Sequence, residues 1–178
     1  MLIPNRKVLF YRTLSSTQDV AYALAKKGEK EGTVVVSDYQ YRGRGKLGRR
    51  WFSVRGKNLL CSVILRPSVS PQQVFLLTRS VSSCIKQVIE KRAGLKVHFK
   101  HPNDLLINKK KVGGILSEAH IKKNRIEFVI LGIGINVNAK REELIPGATS
   151  LKVETGRRFS RPDLLREILD ALESKGIF

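Results

Sequence analysis

The stretch YRGRGKLGRRW, residues Tyr41 to Trp51, combines five cationic side chains with three glycines and ends on the only tryptophan of the chain. Glycine lets backbone amides approach a ligand closely, and arginine and lysine pair with phosphate oxygens. The stretch lacks the Gly-Lys-Ser/Thr ending of a Walker loop. Its composition alone also fits a solvated basic turn. Trp51 favours a phosphate-binding loop, because an indole at that place can cover a nucleobase.

The charge of the whole chain is unbalanced in the same direction. Its 178 residues include 34 Lys and Arg but only 15 Asp and Glu, which gives a formal net charge of +19. No acidic residue occurs between Tyr39 and Ile89. Such a field attracts polyanions, which include nucleotides, nucleic acids and acidic proteins. With an apolar content of 42%, residues 1–178 are expected to form a single globular domain with a proper core.

The cysteines and the apolar runs bear on the cellular compartment. Cys61 and Cys84 lie in apolar surroundings without metal-ligand spacing, so we expect buried free thiols rather than a disulfide. Neither the N-terminus nor any later segment has an apolar run long enough for a signal peptide or a membrane span. The sequence therefore predicts a soluble, cytoplasmic protein that does not enter a membrane.

The hydrophobic pattern predicts strands and helices without a regular βαβ alternation. Helices are predicted to begin at Ser16, at Ser70 with Pro71 in the first helical position, and at Ser160. Predicted strands cover residues 7–14, 33–36, 58–65, 96–99, 112–118 and 125–137. This mixture favours an α+β fold, in which a mixed β-sheet is backed by a few helices.

A second polar segment, KHPNDLLINKKKVGGILSE, covers residues 100–118. Asn103 offers the paired donor and acceptor that suit an adenine edge, and Asp104 could hold Mg²⁺ near phosphates. The three lysines that follow lie at an expected hairpin tip, where the first two fit a solvated turn. Lys111 differs, because the chain returns directly after it into a buried strand. A lysine at that junction could point into a site under the sheet.

A third segment, LGIGINVN at residues 131–138, places glycines on one face of a strand. It is not a dinucleotide fingerprint, because the third glycine is missing and no helix follows. A strand face without side chains at Gly132 and Gly134 instead lets a small ligand or another backbone approach. Asn136 ends the strand on the same face as the two glycines.

Five motifs occur together in this chain: SSTQ at 15–18, Gln40 with GRGKLGRRW, KHPND with KKVGGIL, GIGINVN, and ATSL at 148–151. In their order and spacing they resemble the catalytic core of biotin protein ligase. The resemblance implies a fold similar to class II aminoacyl-tRNA synthetases, that of the biotin–lipoate ligase catalytic domain. It also implies a two-step reaction, in which biotin and ATP give biotinyl-5′-AMP and the biotinyl group then passes to a specific lysine of a biotin carrier domain. ATP, Mg²⁺ and biotin would take part, without a tightly bound prosthetic group.

The resemblance also implies roles for individual residues. Lys111 would be the main electrostatic catalyst, in contact with the biotin carboxylate and a phosphoryl oxygen, and Arg49 would assist it. The residues implied for biotin are Ser16, Thr17, Gln18, Gln40, Gly43, Arg44, Gly45, Lys111, Gly114, Gly132 and Gly134. Those implied for the nucleotide are Lys46, Arg49, Trp51, Asn103, Lys111, Asn136 and Ala148, with Asp104 for Mg²⁺.

The chain departs from the family pattern at several points. His101 stands where the family usually has tryptophan, and Lys46 replaces an arginine, which loses bidentate geometry toward phosphate. No segment resembles the winged-helix DNA-binding domain of bifunctional members or the small SH3-like C-terminal domain. We therefore expect a catalytic core without specific DNA binding. The implied partner is the biotin carboxyl carrier domain of a biotin-dependent carboxylase, and a homodimer stays open.

Two alternatives remain at this stage. A lipoate or octanoate ligase or transferase shares the fold, although GRGKLGRRW and KKVGGIL match the biotin branch better. A basic nucleic-acid-binding module would explain the net charge of +19. Against it, the cations of the glycine motif have one tryptophan nearby rather than the aromatic platforms of a single-strand binder.

Overall fold

A mixed seven-stranded sheet organises the chain, and its strands are β1 (Val8–Tyr11), β2 (Val34–Ser37), β3 (Asn58–Leu65), β4 (His98–Lys100), β5 (Asp104–Ile107), β6 (Lys110–Lys122) and β7 (Arg125–Asn136). The computed structural model describes residues 6–178. The first five residues of the expected single domain therefore lie outside the described residues. β1 and β2 pair in parallel, and the other neighbours are antiparallel. In space the strands follow the order β1-β2-β3-β7-β6-β5-β4. The predicted α+β class with a mixed sheet is confirmed.

Serine side chains cap the start of three of the four helices within residues 6–178. Ser16 precedes the first helix and accepts a hydrogen bond from the Gln18 amide at 3.2 Å, and Ser160 caps the last helix in the same way. The second helix begins later than predicted, because Ser70 and Pro71 open a 3₁₀ turn that precedes it. The helices are α1 (Thr17–Lys26), α2 (Val74–Ala93), α3 (Leu151–Thr155) and α4 (Arg161–Ser174).

The two faces of the sheet are covered unequally. On one face α2 and α4 pack over the larger core, which contains alternate residues of β3 such as Cys61 and Val63. On the other face α1 covers a smaller core around Ile64, Phe128 and Ile130. The rest of this second face, which includes Gly132 of β7, lines a cavity. The cavity therefore lies beside α1, on the part of the second face that this helix does not cover.

The sequence did not predict the short elements β5 and α3, and it predicted one turn at the wrong position. Neither the four-residue β5 nor the five-residue α3 is long enough to show a hydrophobic period. The β5–β6 turn lies at Asn108 and Lys109, whose φ angles of 49° and 63° are typical of a two-residue hairpin turn. The hairpin tip therefore lies at Asn108 and Lys109, earlier than the predicted tip at residues 109–111, and Lys110 and Lys111 already belong to β6.

Cys61 and Cys84 are both buried and free, as predicted. Burial raises the pKa of Cys61 from 9.0 to about 12, and it raises the pKa of Cys84 as well. Among the helices within residues 6–178, none is long and apolar enough to cross a membrane.

Candidate active site

A cavity of about 480 Å³ opens on the part of the sheet that α1 leaves uncovered. Its volume is within the range of about 300–1,000 Å³ that is common for small-ligand sites. The floor of the cavity is formed by Gly132, Gly134 and Gly114. At Gly132 and Gly134 the neighbouring side chains leave no room for a Cβ atom. A Cβ atom at Gly132 would lie 2.5 Å from the Gln18 amide oxygen, and one at Gly134 would lie 2.7 Å from the Trp51 ring.

A β-bulge turns Lys111 into this cavity. β5 and β6 pair Leu105 with Gly113 but Leu106 with Lys111, so Val112 is one residue extra on β6. Val112 is fully buried in the core under α2 and α4, whereas Lys111 lines the cavity together with Gly114. Regular alternation from Gly114 would have sent Val112 into the cavity and Lys111 away from it. The bulge therefore turns the Lys111 side chain into the cavity.

The ammonium group of Lys111 has two neighbours in the cavity. Its Nζ atom lies 2.6 Å from the Asp104 carboxylate and 5.5 Å from the centre of the Trp51 ring. Asp104 is the only acid among the described residues that line the cavity, whereas the cations there also include Lys46, Arg49, Arg50 and Lys100. The cavity is therefore strongly electropositive, with one carboxylate beside its central lysine.

The inner end of the cavity carries a set of buried hydroxyl and amide groups. The Thr17 amide donates to the Gln40 side-chain oxygen at 2.6 Å, and the Gln18 side chain donates to the Ile130 carbonyl at 3.1 Å. The Ser62 hydroxyl lies 2.9 Å from the Thr17 hydroxyl and 3.0 Å from the Gln18 side-chain oxygen. Ser62 was missed by the sequence reasoning, although it is the one hydroxyl within the apolar strand NLLCSVIL.

The basic loop folds back on itself at the cavity mouth. The Trp51 amide donates to the Gly43 carbonyl at 2.9 Å, and the Gly45 amide donates to the Arg49 carbonyl at 2.7 Å. A Cβ atom at Gly43 would lie 2.6 Å from the Trp51 carbonyl oxygen, so this glycine permits the close approach of the two arms. Gly43 serves the loop without lining the main cavity, while Gly45 lies on its wall.

The side chains of the loop differ in their partners. Arg44 pairs with Asp19 at 2.8 Å and with Glu118, so its charge is balanced outside the cavity. Lys46 and Arg49 line the cavity, and neither forms a salt bridge within residues 6–178. Arg50 also lines the cavity without a salt bridge among the described residues, and it donates a hydrogen bond to the Tyr41 carbonyl at 2.9 Å. The cations of the loop that are available to an anionic ligand are therefore Lys46, Arg49 and Arg50.

The remaining predicted residues divide between the cavity and the wall behind it. Ser16 and Asn103 line the cavity, whereas Asn136 and Ala148 are buried and do not. The Asn136 amide group donates to the Thr149 carbonyl at 2.9 Å, and its oxygen accepts from the Asn58 side chain at 2.7 Å. Both ends of the Asn136 amide are therefore used within the protein, and its predicted contact with a nucleotide stays a prediction.

The fold and the site define the class to which the protein belongs. The chain matches the biotin/lipoate A/B protein ligase family over residues 9–136, and it is a member of that family. It is 39% identical over 177 residues to the bifunctional ligase/repressor BirA of Bacillus subtilis, a match that covers 97% of this chain and 54% of the relative. It is 30% identical over 144 residues to the biotin–[acetyl-CoA-carboxylase] ligase of Mycobacterium tuberculosis, which covers 79% of this chain and 52% of the relative. The chain thus spans about half the length of these curated relatives.

A solved structure agrees with the sequence comparison. The fold is similar to that of the biotin protein ligase from Aquifex aeolicus in complex with biotin and ATP, with a TM-score of 0.78 at 29% identity. The match covers 96% of this chain and 70% of that chain. The resemblance to the biotin protein ligase core that the five motifs indicated is confirmed.

Proposed function

We propose that the protein is a biotin protein ligase, which uses ATP to make biotinyl-5′-AMP and transfers the biotinyl group to a lysine of a carrier domain. One observation carries the proposal: the bulge at Val112 brings the Lys111 ammonium group to the centre of a glycine-floored, electropositive cavity. The names of the matched relatives, and the biotin and ATP bound in the Aquifex aeolicus structure, support it.

The charges of the cavity suit the first step. A carboxylate oxygen of biotin attacks the α-phosphorus of ATP, and the bond from this phosphorus to the bridging oxygen breaks to release pyrophosphate. Both reactants are anions, so the barrier is lowered most by cations held in place before the reaction. Lys111 would contact the carboxylate and the α-phosphate, and Lys46 and Arg49 would hold the outer phosphates. None of these groups gains or loses a covalent bond.

The inner end of the cavity favours biotin over lipoate. Biotin carries a ureido group with one carbonyl acceptor and two N–H donors, whereas the dithiolane ring of lipoate offers none of these. The buried hydroxyl and amide groups at this end belong to Thr17, Gln18, Gln40 and Ser62. Buried polar groups select strongly for a ligand that hydrogen-bonds to them, because an apolar ligand would leave them without partners.

A divalent cation would bind in the cavity together with the nucleotide rather than by itself. Within residues 6–178 no group of three His, Cys, Asp or Glu side chains could hold a metal ion by itself. Among the described residues, Asp104 is the one carboxylate that lines the cavity, and Mg²⁺ is commonly held by one or two carboxylates together with substrate phosphates. Asp104 would hold it, and the ion would supply further neutralisation of the phosphate charge.

The second step needs no nucleophile from this chain. The amine of the carrier lysine attacks the biotinyl carbonyl of the mixed anhydride, and AMP leaves. A covalent route through a thioester would require a thiolate. Burial raises the pKa of Cys61 to about 12 and its side chain packs in the core, so this thiol is neutral and out of reach. Two buried free thiols also fit a reducing, cytoplasmic setting.

The proposal can be tested by transfer to a carrier. The protein is incubated with ATP, Mg²⁺ and an isolated biotin carboxyl carrier domain of a carboxylase. Biotin, lipoate or octanoate is supplied as the acid in separate reactions, and the mass of the carrier domain is measured by mass spectrometry. We expect modification with biotin only, and none when the target lysine of the carrier is replaced by arginine. Modification by lipoate or octanoate but not by biotin would contradict the assignment.

A further inference from the structure

Glu154 lies on α3, outside the cavity, and its carboxylate joins two segments that flank Lys111. Its side chain is only 9% exposed. It accepts hydrogen bonds from the Thr149 hydroxyl and from the Asn108 side-chain amide, the latter at 2.7 Å. The nearest cation is Arg141, at 3.9 Å. A nearly buried carboxylate with two neutral donors is costly unless both hydrogen bonds form, so it holds both donors firmly.

Each of the two donors is connected to the backbone of Lys111. The Thr149 amide donates to the Lys111 carbonyl at 2.8 Å, and the Lys111 amide donates to the Gly147 carbonyl at 2.9 Å. Asn108 begins the hairpin turn that leads into β6, and it lies only three residues before Lys111. Glu154 therefore ties together the chain before Lys111 and the chain beside it.

The bulge makes this attachment important for Lys111. At Val112 the regular pairing of β5 with β6 is interrupted, so the backbone of Lys111 is next to a local defect in the sheet. The segment 147–149 supplies a parallel bridge on its other side. A shift of the Lys111 backbone would move its ammonium group relative to the reacting carboxylate. Misplacement by about 1 Å can cost about 100-fold in rate.

We propose that Glu154 is a positioning residue for Lys111. By holding Thr149 and Asn108 it fixes the Lys111 backbone, and so sets the place of the ammonium group for carboxylate activation. The inference depends on the function proposed above only for the reaction that serves as a readout. Glu154 itself touches neither the cavity nor any reacting atom.

The variants can separate hydrogen bonding from charge. Glu154→Leu keeps the bulk but removes both acceptors, whereas Glu154→Gln can still accept from Asn108 and donate to the Thr149 hydroxyl. Asn108→Gly removes one donor and keeps the left-handed φ of 49°. We expect Glu154→Leu to lower kcat for biotinyl-AMP formation by about 10-fold to 100-fold, with KM for biotin and ATP within about threefold. Glu154→Gln should stay near the parental rate, and Asn108→Gly should fall between them.

A double-mutant cycle with Lys111→Ala distinguishes positioning from general support. If Glu154 acts through the lysine, Glu154→Leu or Asn108→Gly should add almost no further loss when Lys111 is already alanine. An equal fold-loss with and without Lys111 would overturn the proposal. Asn108→Gly decides the matter if Glu154→Leu does not fold.

Hydrogen exchange provides a readout that needs no activity. We expect faster exchange at the Lys111 and Thr149 amides in Glu154→Leu, with Glu154→Gln close to the parental protein. If the parental protein makes no biotinyl-AMP, the proposed function fails while this measurement still decides the role of Glu154. Unchanged exchange at both amides would then overturn the positioning role.

Discussion

The Lys111 ammonium group lies 2.6 Å from the Asp104 carboxylate, and both side chains face the cavity. In the free protein the central cation of the site is therefore already paired with an anion. A ligand carboxylate must compete with Asp104 for the lysine, and a metal ion must compete with the lysine for Asp104. The two ligands of the first step would thus help each other to bind, because the metal with its nucleotide draws Asp104 away from Lys111.

The first prediction concerns Asp104. Asp104→Asn should strengthen the binding of biotin alone, by up to about fivefold, because the competing carboxylate is gone and a screened ion pair is worth no more than this. The same variant should weaken the binding of ATP with Mg²⁺. Calorimetry with each ligand measures both changes. Asp170→Asn on α4, a carboxylate that is 57% exposed and pairs with Arg6, removes the same charge far from the cavity and serves as the control. Weaker binding of biotin to Asp104→Asn would show that Asp104 holds Lys111 in place rather than competing for it.

A second prediction concerns Lys111 itself. Lys111→Ala should lower the rate of adenylate formation by about 100-fold to 1,000-fold, the usual effect of removing one preorganised charge contact. Circular dichroism should be unchanged, because the side chain is only half-buried. Lys110→Ala, at the neighbouring exposed position, should keep the parental rate. A parental rate in Lys111→Ala would remove the electrostatic mechanism.

The bare floor of the cavity leads to a third prediction. Trp51 is the only tryptophan, and a Cβ atom at Gly134 would lie 2.7 Å from its ring. Gly134→Ala should therefore displace the indole, change its fluorescence in the free protein and weaken ligand binding. Gly132→Ala, on the same strand face, would instead contact Gln18 and should leave the fluorescence of the free protein unchanged. Identical emission spectra for Gly134→Ala and the parental protein would refute this contact.

The buried thiol gives a prediction about pH. The pKa of Cys61 is raised from 9.0 to about 12 by burial, so the thiol ionises in the unfolded chain at a lower pH than in the folded protein. Its contribution to the free energy of unfolding is complete below pH 9 and is lost as the pH rises toward 12. Urea unfolding at several pH values should show a smaller loss above pH 9 in Cys61→Ala than in the parental protein. Parallel pH profiles for the two proteins would contradict this assignment.

The sequence predicted the elements whose signals are local. Strand β3 has its predicted bounds, because its eight residues are mostly apolar and form one short, clearly bounded run. Ser16 and Ser160 mark helix starts, because capping is a contact between near neighbours. The glycines at 132 and 134 also gave a correct indication of a bare strand face on the cavity.

The parts that the sequence did not predict depend on contacts between distant segments. The bulge at Val112 is visible only when β5 and β6 are paired, and β5 itself has four residues and no clear period. Ser62 joins the polar end of the cavity because α1 lies over β3, a packing that its own neighbours in sequence do not show. Glu154 is 43 residues from Lys111 in the numbering, so its link to the site depends on tertiary structure alone.

The central claim is that this chain activates biotin with ATP, and the product of that reaction tests it most directly. The protein is incubated with biotin, ATP and Mg²⁺, with Lys111→Ala and a sample without biotin as controls, and the mixture is analysed by mass spectrometry. We predict biotinyl-5′-AMP and one pyrophosphate for each adenylate, in the parental protein only. An adenylate formed with lipoate and not with biotin, or none with either acid, would contradict the account.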